Sequence, residues 1–158
     1  MAQIRQLSNE HIERILAIQS ECYPPELLEH DNTFRTMMQI YPTGCNGIFT
    51  DDLAGYLFFH PFTDGKIKPL DTQLHLAGDE NCMYIHDLAI RPSMQSKGYS
   101  TALLADCERI TKENNFKTQA LVAVQHSHSF WQKKGFVTVS EIDYHGLPAK
   151  YMRRIIPS

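Results

Sequence analysis

No segment of the 158-residue chain approaches the roughly 20 consecutive apolar residues that a membrane-spanning helix requires. The opening residues, Met1-Ala2-Gln3-Ile4-Arg5, also lack the apolar run of a secretory signal, so a cytoplasmic protein with no membrane partner is expected. The four cysteines, Cys22, Cys45, Cys82 and Cys107, are scattered and contain no Cys-x-x-Cys pair. That spacing excludes a zinc ribbon or disulfide framework and suits a reducing compartment. Basic residues do not exceed acidic ones: the formal net charge of −3 argues against the broad basic surface that a nucleic-acid partner would demand. Internal repeats and low-complexity tracts are missing too, which leaves one domain over residues 1–158 as the expectation.

What is present reads as alternating helices and strands. Gln3 to Leu7 suits a short strand. Ser8 or Asn9 can cap a helix carrying Ile12, Ile15, Leu16 and Cys22 at helical spacing, which Tyr23-Pro24-Pro25 ends. Asp31 can cap a second helix with Phe34, Met37, Met38 and Tyr41 on one side, stopped by Pro42 and Gly44. Cys45–Thr50 and Leu53–His60 read as a hairpin across Asp51-Asp52. Pro61 to about Asn81 follows neither period and is expected to be a flap beside a substrate site. Cys82–Ile90, Ser100–Asn114 and Lys117–Val124 then form a strand, an amphipathic helix and a strand. A short helix from Ser127 to Lys134 is closed by Gly135, and Phe136–Ile142 can pair with Lys150–Ile156.

Chemistry first becomes visible between Ile90 and Ser100. A helix start exposes unpaired N–H groups and carries partial positive charge, so a loop entering it can wrap a pyrophosphate where one residue lacks a side chain. Gly98 meets that need, Lys97 adds a cation, and Ser100 keeps the approach small. A plain strand-to-helix turn that uses Gly98 for its backbone angle is the alternative.

Tyr84-Ile85-His86-Asp87-Leu88-Ala89-Ile90, the loop Gln95-Ser96-Lys97-Gly98-Tyr99-Ser100 and its helix resemble the acetyl-CoA motif of the GNAT N-acetyltransferases. Ser129-Phe130-Trp131-Gln132-Lys133-Lys134-Gly135-Phe136 is similar to the aromatic helix and Gly-Phe pair with which that superfamily closes its site. The resemblance implies a mixed α/β fold: a mostly antiparallel, twisted central sheet with one splayed parallel strand pair, flanked by about four helices. It implies acetyl-CoA as cosubstrate and transfer to a small-molecule or peptide amine by direct attack in a ternary complex. It places Leu88, Ala89 and Ile90 at backbone contacts to the pantetheine arm. Gln95, Ser96, Lys97, Gly98, Tyr99, Ser100 and Thr101 would surround the pyrophosphate, and Ser127, Phe130 and Trp131 would line the other side.

Such a transfer needs a neutral amine and a route for its proton. On a regular strand Tyr84, His86 and Leu88 share one face while Ile85, Asp87 and Ala89 share the other, so one set meets the cleft. The resemblance favours His86 as base, and an imidazole pKa of about 6.5 suits that task, with Tyr84 orienting a water. A half-buried structural histidine beside a salt-bridged Asp87 is the alternative. Trp131 departs from the tyrosine that many relatives carry there, because indole cannot protonate a leaving thiolate. That departure keeps two rivals open: a non-catalytic CoA-binding module, and an acyltransferase with another donor or acceptor. Glu26 or Glu29 can attract a cationic amine, or simply favour a helix start. His126 and His128 have no companion ligand at metal spacing, so no metal is expected. A monomer or homodimer fits equally.

Overall fold

A computed structural model describes residues 1–157. They form seven strands and four α-helices, with short 3-10 turns between them. The strands are β1 (Gln3–Gln6), β2 (Cys45–Phe49), β3 (Leu53–Phe62), β4 (Cys82–Ile90), β5 (Thr118–Ala123), β6 (Val137–Tyr144) and β7 (Leu147–Ile155). The helices are α1 (Ile12–Cys22), α2 (Asp31–Ile40), α3 (Tyr99–Glu113) and α4 (His128–Lys133). One mixed sheet runs in the order β1-β2-β3-β4-β5-β7-β6. Every neighbouring pair is antiparallel except β4 with β5, which α3 joins as a crossover.

The central strands are apolar on both faces because helices cover both. On one face Tyr56, Phe58 and Ala89 pack with Ile15, Ile18, Phe34 and Met37 of α1 and α2. Phe34 meets Phe58 and Tyr56 at ring-centroid distances of 5.1 and 6.2 Å in tilted and edge-on contacts. Such pairs each add about 0.5–1.5 kcal/mol beyond the area they bury. On the opposite face Leu57, Phe59, Met83, Ile85 and Leu121 pack with Leu103, Cys107 and Ile110 of α3 and with Trp131. The helical periods of α1, α2 and α3 thus each turn one stripe inward.

Boundaries differ from the sequence expectations mainly at the hairpins. β7 begins at Leu147, because Asp143, His145 and Gly146 make a tight turn: His145 and Gly146 take positive φ of 53° and 86°, and the Asp143 carboxylate accepts the Gly146 amide at 3.2 Å. α3 starts one residue before Ser100, directly after Gly98. Among the described residues no helix is long and apolar enough to cross a membrane.

Candidate active site

β4 and β5 pair only at Met83–Gln119, Tyr84–Ala120 and Ile85–Leu121. Beyond that point β4 continues to Ile90 and β5 to Ala123 with no bond between them. The splay opens a cavity of about 990 Å³ lined from both faces of the sheet. Gln95, Ser96, Gly98, Tyr99, Ser100 and Thr101 line its α3 end, with Leu88, Ala89, Ile90, Ser127, Phe130 and Trp131 along its length. Leu27, Glu29, Tyr84, His86, Asp87 and Tyr144 line the end facing α1 and α2.

At the α3 end Gly98 is left-handed, with φ 82° and ψ 9°, and a Cβ there would meet nothing within 4 Å. The glycine therefore serves backbone conformation and leaves the space before the first turn of α3 open. No acidic residue occupies that turn. An anion fits such a helix start, where free N–H groups converge on it. Lys97 is exposed and lies outside the cavity lining. It sits in the loop before the left-handed Gly98, where the chain turns its side chain to solvent. Lys133 and Lys134 line the cavity instead, and Lys134 Nζ donates to Thr101 Oγ1 at 2.8 Å. Trp131 is 7% exposed and held edge-on against Phe130 and Phe136 at 5.0 and 5.4 Å.

At the other end the regular alternation of β4 breaks. Phe58 pairs with Asp87 and Phe59 with Ile85, which leaves His86 as the extra residue of a β-bulge. Tyr84 faces His60, His86 stacks near both at 6.4 and 6.2 Å, and Asp87 reaches Tyr56 on the same side. Leu88 and Ile90 turn to the α3 face. The two alternating sets expected from the sequence are thus rearranged: Tyr84, His86, Asp87 and Ala89 share a face, and Leu88 is opposite.

The His86 and Glu29 side chains are 2% and 3% exposed, with Nε2 and Oε1 2.6 Å apart. Glu29 Oε2 accepts the Asp71 amide at 3.0 Å. Burial works to raise the Glu29 pKa, but the facing imidazole, its hydrogen bond and the Asp71 amide outweigh it and leave the carboxyl lowered. With Nε2–H donated to Glu29, the ring keeps a lone pair at Nδ1, which is buried without a partner, as is His60 Nε2. Burial pushes the His60 pKa down to about 3, and its Nδ1 donates to the Pro61 carbonyl at 2.8 Å. Glu26 is exposed on its 3-10 turn and lies outside the cavity lining.

Asp87 accepts from the Tyr56 hydroxyl at 2.9 Å, and the Tyr23 hydroxyl lies 2.8 Å from its other oxygen and 2.9 Å from the Leu88 carbonyl. Tyr23 has one proton for two acceptors, an arrangement fully satisfied when Asp87 itself holds a proton. Burial raises the Asp87 pKa to about 6. A raised acid binds protons more tightly in the folded chain, so its ionisation costs stability as pH rises from about 4 to 6, by about 3 kcal/mol in all. Asp87→Asn removes that cost. Heat unfolding should show the variant gaining on the parent at pH 8 and losing this advantage by pH 4; a difference flat across that range would show an ordinary carboxyl.

A family model, Acetyltransferase (GNAT) family, matches residues 12–136. The chain belongs to the GNAT acetyltransferase family. Three solved structures share the GNAT fold across essentially the whole chain. Ard1 from Thermoplasma volcanium is 15% identical, covers 99% of each chain and has a TM-score of 0.82. The loading GNATL domain of CurA from Lyngbya majuscula is 12% identical over 99% of this chain and 98% of that one, at 0.83. The PaiA N-acetyltransferase of Thermoplasma acidophilum, solved with coenzyme A, is 18% identical over 98% and 99%, at 0.70. At these identities the likeness is one of fold. A search of curated protein sequences found no match.

Within the GNAT frame, the cavity collects most of the residues singled out from the sequence and leaves out Lys97 and Glu26. It also collects Tyr23, Leu70 and Tyr144, which were given no site role, and Lys133 and Lys134, which lay inside the Ser129–Phe136 motif without being assigned a contact. Tyr23 marked a helix end beside two prolines, and nothing in its neighbourhood points to Asp87.

Proposed function

We propose that this GNAT protein transfers an acetyl group from acetyl-CoA to a primary amine by direct attack in a ternary complex. The observation that carries the reading is the splay: it joins an open, glycine-bounded helix start on one face to a buried His86–Glu29 pair on the other. Acetyl-CoA, when bound, supplies an acetyl group on a thioester. The residues that would hold it are the N–H groups at the start of α3, the unpaired β4 edge from Leu88 to Ile90, and Lys133 and Lys134.

The chain's own groups then manage the amine. Glu29 fixes the His86 tautomer by accepting Nε2–H, which leaves Nδ1 as a base for the ammonium proton, directly or through a water. Tyr84, buried beside it, limits the water that reaches this end. Trp131 supplies no titratable proton. A thiol of pKa about 8.5 leaves without one at modest cost, so the role of Trp131 is to wall the cleft.

Heat unfolding with and without acetyl-CoA tests the cofactor. At about 100 times its dissociation constant a ligand adds about 2.7 kcal/mol, an upward shift of roughly 5–10 °C for a chain of this size. A clear shift would license a screen of amines for thiol release. No shift at millimolar acetyl-CoA, with the protein folded, would sink the assignment.

A further inference from the structure

Residues 63–81, between β3 and β4, contain no helix or strand, yet they are tied to elements on both sides of the amine end and put Leu70 into the cavity lining. Asp71 N–H donates to Glu29, and Asp71 Oδ1 accepts from the His30 amide at 2.7 Å and the Thr33 hydroxyl at 3.3 Å, which fastens the segment to the start of α2. Leu70 N–H donates to His145 Nε2 at 2.9 Å, and the Lys68 carbonyl accepts from the Tyr144 hydroxyl at 2.8 Å, which fastens it to the β6–β7 turn. Lys68 N–H also reaches the Tyr84 hydroxyl at 3.4 Å. Three residues of this strap thus bridge the two elements that flank the amine end. Between them the Leu70 side chain lines the cavity and packs in one apolar cluster with Leu27 and Tyr144.

We infer that the acceptor is a small primary monoamine with an apolar or aromatic body and no carboxylate, and that the strap excludes the amino terminus of a polypeptide. The inference rests on the acetyl-transfer reading and narrows it. A peptide whose amine meets His86 must carry its next residues outward at about 3.3–3.6 Å each. On this face the start of α2 and the β6–β7 turn flank the amine end, and the strap's main chain is bonded to both. The His30 amide, the Tyr144 hydroxyl and the His145 ring, which would otherwise be free to bind a peptide backbone, are occupied by the strap.

Charge narrows the class further. The amine end presents the carboxyl groups of Glu29 and Asp87, and among the described residues no cation lines it: Lys133 and Lys134 belong to the α4 side. The strap's own Lys68 is 2% exposed, lies outside the lining, donates its ammonium to the Thr72 carbonyl at 2.5 Å and hydroxyl at 3.2 Å, and its charge is already directed at the Glu29 carboxylate. A carboxylate on the acceptor would be buried beside two acidic groups with no partner, which is strongly unfavourable. A single ammonium suits the same surroundings, and the apolar roof of Leu27, Leu70 and Tyr144 suits a hydrocarbon body.

The test follows thiol release by the full chain from acetyl-CoA with 2-phenylethylamine, hexylamine, phenylalanine and a short peptide bearing a free amino terminus. The monoamines should exceed both others by at least about 100-fold in kcat/KM. Leu70→Ala, which removes part of the roof, should raise the monoamine KM about tenfold with kcat little changed, and Asp71→Ala, which unties the strap, should narrow the gap to the peptide about tenfold. Heat unfolding of each variant checks that it is folded. Turnover of peptide or phenylalanine equal to that of the monoamines overturns the inference and leaves acetyl transfer standing. No turnover of any acceptor while acetyl-CoA still raises the unfolding midpoint overturns the inference too; no turnover and no midpoint shift overturns the cofactor assignment beneath it.

Discussion

Gly98→Glu is expected to weaken acetyl-CoA binding by at least about 100-fold, because it sets a carboxylate where the incoming pyrophosphate would meet the first N–H groups of α3. Two effects combine in that variant. The left-handed backbone at φ 82° strains any side chain, at about 1–2 kcal/mol. The added negative charge repels the ligand, and open space around the Cβ lets the carboxylate extend into the site. Gly98→Ala separates them: it carries the strain without the charge, so it should lower the unfolding midpoint by a similar amount while losing far less affinity. The chain has a single tryptophan, Trp131, and it lines the cavity, so its fluorescence offers a direct binding signal. Affinity unchanged in Gly98→Glu would move the phosphate site away from this loop.

His86→Ala should lower kcat by roughly 10²–10³ at neutral pH with acetyl-CoA affinity nearly unchanged, the range expected for loss of a positioned base. Glu29→Gln should act through His86: an amide no longer fixes the Nε2–H tautomer, so kcat falls by about tenfold or more while acetyl-CoA affinity holds. The unfolding of His86→Ala must be measured alongside, because losing the imidazole leaves the Glu29 carboxylate buried without its partner, at a cost of about 3 kcal/mol or more. Unchanged kcat in folded His86→Ala would transfer the base role elsewhere, and Asp87, on the same face with a raised pKa, is the next group to test.

The elements that were legible in the sequence are those whose chemistry is local. α3 showed its apolar stripe, Gly98 its loop, and β4 and β5 their apolar runs, because period and punctuation are written within a dozen residues. The features that were not legible depend on distant partners. Glu29 read as a free acidic group because His86, which buries it, lies far along the chain, and nothing around Glu29 announces that contact. Lys133 and Lys134 were not legible as cavity residues, because which lysines of a loop or short helix reach the cleft depends on backbone angles that sequence spacing does not encode. Tyr23 closes a three-way contact with Asp87 and Leu88 across the sheet, and no motif could have linked them. The assignment of faces on β4 failed for a different reason: alternation presumes an unbroken ladder, and Tyr84-Ile85-His86-Asp87 carries no glycine or proline to warn of the extra residue.

That extra residue changes what shortening the gene by a codon would mean here. Since Ile85 pairs with Phe59 and Asp87 with the adjacent Phe58, excising His86 would join two residues already in step with β3. The strand would run straight, the residues after it would keep their partners, and Asp87 would stay on its side of the sheet. An in-frame deletion in the middle of a central strand is ordinarily ruinous, because it turns every following side chain over. At this position it would delete a reactive group and keep the strand register, so the cost of the loss would fall on the Glu29 carboxyl left without its partner and not on the sheet.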